Sequence, residues 1–431
     1  MNFQESFVQS VWKFQYFNRQ NLATTDGQPL SIRKIGFHNF HEGPDFSESE
    51  VQIGNLKYHG NVEVHIKSSD WIAHKHEQDP KFETVILHVV WEHDLEIDRS
   101  DGTQIPTLEL KGKVFLDVLR NYQRLIQSPH VILCEDSLLE IPEIIKFSML
   151  EKSLVERLQE KCQLIEKQLE LTGGDWEEVA YRWLFYSFGF KVNSGPMLEL
   201  ARSLPYNLLK KHAHQPAVLE ALLLGQAGFL KESKKDDYSR FLQKEFEFYQ
   251  QKYGLHSRDL RAEWKFMRVR PANYPTIRIA QLAALLAQRP NLISILMHEI
   301  KSLKDLQIVF SISASPYWEY HFRPGYKSRK RQSRNLTKNT IQLLAINFVI
   351  PLWYAYGQYI DDSLWKERCF DFLQLIPAES NHIIFDYEKS GWKAGNAFDT
   401  QGMIGLHHHY CQPKKCLDCK VGQQLLRPQR K

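Results

Sequence analysis

Two blocks, Asn39-Phe40-His41-Glu42-Gly43-Pro44-Asp45-Phe46 and Gly60-Asn61-Val62-Glu63-Val64-His65-Ile66-Lys67, gather acids, imidazoles and an ammonium group into one short stretch. Asp70-Trp71, His74-Lys75-His76 and Asp79 follow closely. Eight of the 18 histidines fall between residues 38 and 93, a local enrichment that calls for a reason. Val62 to Lys67 alternates apolar and polar residues in the manner of a strand. Glu63, His65 and Lys67 therefore project from one face at steps of roughly 6.5–7 Å. Asp45 follows Gly43-Pro44, a pair that places the acid at a tight turn or strand start. Two carboxylates converging from a turn and a strand form the oxygen-rich set that a hard cation such as Mg²⁺ prefers. A neighbouring base or cation can then orient water or stabilise charge developing on phosphorus.

Over residues 30–110, this arrangement resembles the PD-(D/E)xK nuclease superfamily, which has an Asp at one strand end, an acid on the next strand and a lysine two positions later. Here His65 occupies the lysine position and Lys67 follows two residues on, so either is open as the water-orienting or charge-stabilising group. The resemblance implies a restriction-endonuclease-like domain, Mg²⁺ held by Asp45 and Glu63, and metal-dependent phosphodiester hydrolysis in DNA or RNA. His41, Asp70, His74 and His76 are supporting residues in that reading. A plainer reading makes Glu63, His65 and Lys67 the solvated face of an edge strand, with ion pairs worth tenths of a kcal/mol to about 1 kcal/mol. His88, inside an apolar run, reads as a hydrogen-bonded core histidine. Gly43-Pro44 reads as turn chemistry, Asp70 as a cap and Trp71 as a core aromatic. If His74 and His76 lie on a strand, their rings share a side and can bind Zn²⁺ with Asp45, Glu63 or Asp79, the signature of a zinc-dependent hydrolase. On a loop they read as surface histidines. A non-enzymatic nucleic-acid or protein-binding module is the alternative of a different class.

A second constellation closes the chain: His407-His408-His409, then Cys411, Cys416 and Cys419. Three thiolates with His409 or His407 suit a Cys₃His zinc site, and three with an outside ligand suit an iron–sulfur cluster. A closed ligand set favours a structural clip over catalysis, and the plainer reading is a reduced, loosely ordered tail. Cys134, Cys162 and Cys369 stand at long separations and read as small buried hydrophobes. Between Arg323 and Lys338 lie seven cations, interleaved with Phe322 and Tyr326. Arg323, Lys327, Arg329, Lys330 and Arg331 are the nucleic-acid contacts such a run offers, through phosphates and base stacking. As a charge run between helices it reads more plainly as a solvated loop. Arg268, Arg270 and Arg278, around Asn273-Tyr274-Pro275, either extend this positive surface or serve turns and helix ends.

The elements that must position these residues change character along the chain. Phe3 to Asn18 has helical spacing, and Leu30 to Leu110 is strand-like. Val85 to Trp91 is almost continuously apolar, as in a central strand covered on both faces. Beyond about residue 112 apolar residues recur at threes and fours, with no repeat of constant period. The expected class is α+β, with an α/β domain at 1–112, a mostly helical domain at 113–406, and a cysteine/histidine metal clip with basic tail at 407–431. With 43% apolar and 12% aromatic residues, the 431-residue chain can bury a large core, which excludes general disorder. A net charge of +4 is too small to argue polyanion binding for the chain as a whole. The N-terminus lacks the pattern of a signal peptide, and the longest apolar stretch, Ile341 to Tyr356, is interrupted by Asn347 and Pro351. These features predict a cytoplasmic protein without a membrane span, and they leave its oligomeric state open. The Gly-Pro-Asp-Phe and Gly-Asn-Val-Glu-Val-His blocks resemble an uncharacterised bacterial family of unknown function. So do Asp70-Trp71, His74-Lys75-His76, Arg270-Pro271-Ala272-Asn273-Tyr274-Pro275 and the terminal cysteines. That resemblance spans nearly the whole chain and transfers no activity.

Overall fold

Apolar residues at Phe7, Val8, Val11 and Trp12 give the first helix, α1 (Glu5–Phe14), one buried stripe, and the helix stops where Gln15 turns left-handed at φ 53°. The structure, a computed structural model, describes residues 4–231, 236–256, 263–267 and 269–428. The fold is α+β, with a mixed sheet in the N-terminal part followed by helices. The sheet comprises β1 (Leu30–Lys34), β2 (Phe37–His38), β3 (Phe46–Ile53), β4 (Leu56–Lys67), β5 (Val85–Glu92) and β6 (Thr107–Glu109). Their order is β1-β3-β4-β5-β6, with β2 paired to β3. Pairs β1/β3 and β3/β4 are antiparallel, whereas β4/β5 and β5/β6 are parallel. The crossover from β4 to β5 carries α2 (Asp70–Ala73) and two 3₁₀ turns.

Strand alternation divides the chemistry from the core. Val62 and Val64 of β4 join Leu87 and Val89 of β5 in a cluster with Phe7, Val8, Val11 and Trp12. The odd-numbered neighbours Glu63 and His65 are buried as well, but on the opposite face. A smaller cluster of Trp71, Phe82, Val85, Ile97 and Ile105 forms beside the crossover. Every residue from Val85 to Val90 is buried, as the apolar run requires. Gly60 lets β4 pass this close to β5, because a Cβ there would sit 2.5 Å from Ile86 Cγ2 and 2.6 Å from the Thr84 carbonyl oxygen.

The chain divides into two compact units, one of Met1–Met149, Phe385–Lys393 and Leu406–Lys431, the other of Leu150–Ile384 and Ala394–Gly405. In the first, Leu426 joins the core beneath the sheet, and the Asn121 side chain of α3 (Leu116–Ile126) donates to the Leu425 carbonyl at 3.0 Å. The second is helical around a broad core that includes Trp183, Phe188, Leu222, Leu282 and Trp353. The expected helix at the apolar run forms over Lys338–Tyr359, and despite the interruptions at Asn347 and Pro351 it is long and apolar enough by composition to cross a membrane. A π-turn at Ala345–Val349 absorbs Asn347, and Pro351 falls where the next helical segment begins, so its missing N–H costs little. Within this unit 72% of the helix's apolar 18-residue window is buried.

Candidate metal centre

The loop before β3 is built to present Asp45. Gly43 takes φ 103°, a backbone conformation that L residues rarely adopt, and the Asn39 side chain donates to the carbonyls of Glu42 and Pro44. The two acids then clasp each other's backbone. The Asp45 N–H donates to Glu63 Oε2 at 3.0 Å, and the Val64 N–H donates to Asp45 Oδ2 at 3.1 Å. Gln9, from α1, donates to Asp45 Oδ1 at 2.9 Å. Both Asp45 oxygens are thereby engaged, while Glu63 keeps Oε1 for other partners.

That oxygen meets histidines. Glu63 Oε1 lies 3.5 Å from His65 Nε2 and 3.4 Å from His76 Nε2, and His65 Nε2 lies 3.2 Å from His74 Nδ1. The ligand atoms of His65, His74 and His76 all fall within 4.8 Å of one another. A tetrahedral ion with bonds near 2.0–2.1 Å needs ligand atoms about 3.3–3.4 Å apart, and the three measured edges bracket that value. The second nitrogen of His65, Nδ1, is 2.9 Å from His88 Nε2, which leaves Nε2 turned toward the other ligands. His76 Nε2 is buried with no hydrogen-bond partner.

The histidines arrive from β4 and from two short helical turns of the crossover that follows it. His65 is fully buried on β4, opposite β5. His74 closes α2, Lys75 turns left-handed at φ 62°, and His76 opens the next 3₁₀ turn. His74-x-His76 is thus neither on a strand nor splayed on a surface loop, because the reversal at Lys75 brings both rings back toward His65. The rings of His74 and His76 lie 5.0 and 5.2 Å from that of His65. His76 stacks on Phe82 at 3.8 Å, and Trp71 packs edge-on against His65, His76 and His88.

Burial governs the charges here. It pushes the Asp45 carboxyl up to about 7, aided by the neighbouring Glu63 charge, and Glu63 up to about 8, with Glu5 adding to the effect. Glu5 of α1 is itself raised, by burial and then by Asp45. Burial also drives His65 far below its ordinary value and His88 down to about 3. Protonated carboxyls beside neutral imidazoles describe a site short of positive charge. A divalent cation would reverse the carboxyl shifts, and the buried imidazole of His65 is already in its ligating form.

The other sequence-predicted residues disperse. Lys67, although two positions beyond His65, is half-exposed and pairs with Asp94 at 3.8 Å. Asp70 accepts from the Lys67 N–H at 2.9 Å as part of the turn into α2. His41 is exposed, its N–H bound to the Asn39 side chain, and Asp79 caps the turn at Pro80–Thr84. Sequence reasoning missed Glu5 and Gln9, whose i, i+4 spacing beside the apolar stripe of α1 was the available signal. It assigned His88 to the core without its role in orienting His65, since strand register pairs Glu63 with His88.

Of the basic run, Arg334 is a core residue. Its guanidinium donates to the carbonyls of Trp318 and His321 beneath the hairpin β7 (His321–Arg323) and β8 (Tyr326–Lys327). Arg331 holds Glu319 through two bonds of 2.8 and 3.0 Å, and Arg323 lies over Phe266 at 3.8 Å. Lys327, Arg329 and Lys330 are exposed. Arg278 is buried against Gln281, Asn273 and the Phe190 ring, whereas Arg268 lies outside the described residues. At the C-terminus, the ring of His409 packs against Tyr410, and Cys419 is buried. Cys134, expected to stand alone, shares its surroundings with the thiols of Cys411, Cys416 and Cys419.

No curated protein and no solved structure matches the chain. The residues from Glu5 through His88 that build the centre lie inside a stretch, residues 5–382, that matches the family described as "Protein of unknown function (DUF2851)". The match covers most of the chain, which therefore belongs to that family.

Proposed function

We propose that the N-terminal unit is a metal-dependent hydrolase of phosphodiester bonds, with the metal held by His65, His74, His76 and Glu63. The observation that carries this reading is the convergence of three imidazoles whose ligand atoms lie within 4.8 Å of one another, with Glu63 Oε1 3.5 and 3.4 Å from two of them, His65 and His76. Three imidazoles and one carboxylate favour borderline Zn²⁺, and after it the harder Mn²⁺, over Mg²⁺, which prefers oxygen throughout. Asp45 becomes a positioning residue, because its N–H holds Glu63 while its own oxygens hold Val64 and Gln9. A divalent metal supplies Lewis acidity and a water acidic enough to attack near neutral pH. The exposed edge of His74 leaves one side of the centre open to substrate.

A phosphodiester substrate is favoured by the cleft of about 330 Å³ beside Asp45, lined in part by Lys13, His38, Asn39, Phe40 and His41. Lys13 and the rings of Phe14 and Phe40 offer a nucleic-acid strand one phosphate contact and two stacking faces in a groove that Asp418 also lines. The test combines single-stranded, duplex and branched DNA and RNA with Mg²⁺, Mn²⁺ or Zn²⁺, and folding of every variant is checked by circular dichroism. Cleavage with Mn²⁺ or Zn²⁺, lost in Glu63→Ala and His65→Ala and kept in Lys67→Ala, is the expected result. Cleavage with Mg²⁺ that survives His74→Ala and His76→Ala would return the ion to Asp45 and Glu63 alone. Binding without cleavage under every metal would leave a nucleic-acid-binding module.

A further inference from the structure

Four of the six cysteines come together within the first unit, from segments far apart in sequence. Cys134 precedes the 3₁₀ turn Glu135–Glu140, and Cys411 ends the π-turn His407–Cys411. Cys416 and Cys419 flank a turn in which the Cys419 N–H donates to the Cys416 carbonyl at 3.3 Å, and Cys419 starts the helix Lys420–Leu426. The charge of each thiol reaches the other three, although no three of their Sγ atoms gather within 4.8 Å as the histidine ligand atoms do, and none of the four is in a disulfide. Tyr387, fully buried, packs among them with its hydroxyl 3.2 Å from Cys411 Sγ. Gly422 lets the last helix lie directly on the Cys416 turn, since a Cβ there would meet the Cys416 carbonyl oxygen at 2.0 Å.

We propose that Cys134, Cys411, Cys416 and Cys419 hold a soft metal centre through four thiolates, either a zinc ion or an iron–sulfur cluster. Cys134 supplies the fourth ligand that the C-terminal run by itself lacks, in place of His409. Four-thiolate sets serve both kinds of centre, so the shared chemistry is thiolate ligation. The two remaining cysteines sharpen the contrast: Cys162 and Cys369 are buried in the other unit, as small hydrophobes are. Ligands drawn from residue 134 and from residues 411–419 make this centre a staple that fixes the C-terminal segment within its unit. It shares no residue with the histidine centre and stands whether or not that centre is catalytic.

The test uses the full chain without a histidine tag, produced with both zinc and iron available and purified anaerobically. Elemental analysis identifies the metal, and X-ray absorption at its edge reads the ligands. A His65→Ala/His74→Ala/His76→Ala background assigns any retained metal to the cysteines. Zinc or iron with an all-sulfur protein ligand set is expected, visible absorption marking the cluster. Cys134→Ser should lower the metal content as far as Cys419→Ser does, by at least about tenfold, while His409→Ala and Cys162→Ser leave it unchanged. Differential alkylation of the unmutated chain guards against misfolded variants: all four cysteines should resist labelling when loaded and react together after chelation. Neither metal on sulfur, or metal retained in Cys134→Ser with a nitrogen ligand from His409, would overturn the proposal.

Discussion

At the scale of single residues, the centre separates groups that the sequence makes look alike. Glu63, His65 and Lys67 share one strand face by alternation, yet only the first two are buried at the convergence. Lys67 sits at the end of β4, where an exposed ammonium finds Asp94 instead. Losing a ligand removes a bond to the ion, whereas losing Lys67 removes a surface pair worth about 1 kcal/mol or less. Isothermal titration with Zn²⁺ should therefore show affinity weakened by orders of magnitude in His74→Ala and His76→Ala, and unchanged in Lys67→Ala. His88 acts one step back from the ion. His88→Phe should keep the fold but cost about 10–100-fold in zinc affinity, because His65 would lose the partner that sets which nitrogen faces the metal.

At the scale of elements, the crossover between β4 and β5 does most of the assembly. It carries His74 and His76 on either side of a left-handed Lys75, and the parallel pairing of β4 with β5 brings His88 alongside His65. Lys75→Gly relieves the strained φ and should leave metal affinity unchanged within error. A β-branched Lys75→Ile should lower affinity and stability together, a pairing that titration and urea unfolding can read. Gly60→Ala should destabilise the first unit by about 1–3 kcal/mol, since the methyl meets the Thr84 backbone as well as the Ile86 side chain. A lowered urea midpoint with an unchanged slope is the expected signature.

For the molecule as a whole, the buried acids and imidazoles couple stability to pH and to metal. Asp45 and Glu63 have folded-state values of about 7 and 8, above their ordinary 3.8 and 4.5. Their contribution is complete below the ordinary values and is lost as pH rises through the folded ones. His65 and His88 are depressed, so their contribution is present above 6.5 and is lost as pH falls. Between pH 6.5 and 8 only the acid effect operates. In metal-free protein, calorimetry should show the Tm of the first unit falling across that window, with a shallower fall in Glu63→Gln. Zn²⁺ at about 100 times its Kd adds about 2.7 kcal/mol, and Kd itself falls as the carboxyl gives up its proton to the ion. The rise in Tm on adding a fixed concentration of Zn²⁺ should therefore be larger at pH 8 than at pH 6.5.

Local sequence determined the parts of this protein that depend on near neighbours. The stripe of α1, the alternation of β4, the buried run of β5, the turn at Gly43-Pro44 and the helical texture beyond residue 112 follow from steric and hydrophobic periodicity within a few residues. The approach of Asp45 to Glu63 was also legible, because a turn and the strands after it leave few places for those side chains. Tertiary structure alone decided which nitrogens and oxygens share a point. Convergence of His74 and His76 on His65 depends on a left-handed residue that is a lysine, a type with no preference for that conformation. Glu5 and Gln9 reach Asp45 only once α1 has docked on the sheet. The helix through Asn347 and Pro351 was legible, but the π-turn at Ala345–Val349 within it is announced by no local propensity. Cys134 meets the terminal cysteines because their segments pack in one unit, and pairings at such sequence separation leave no periodic trace.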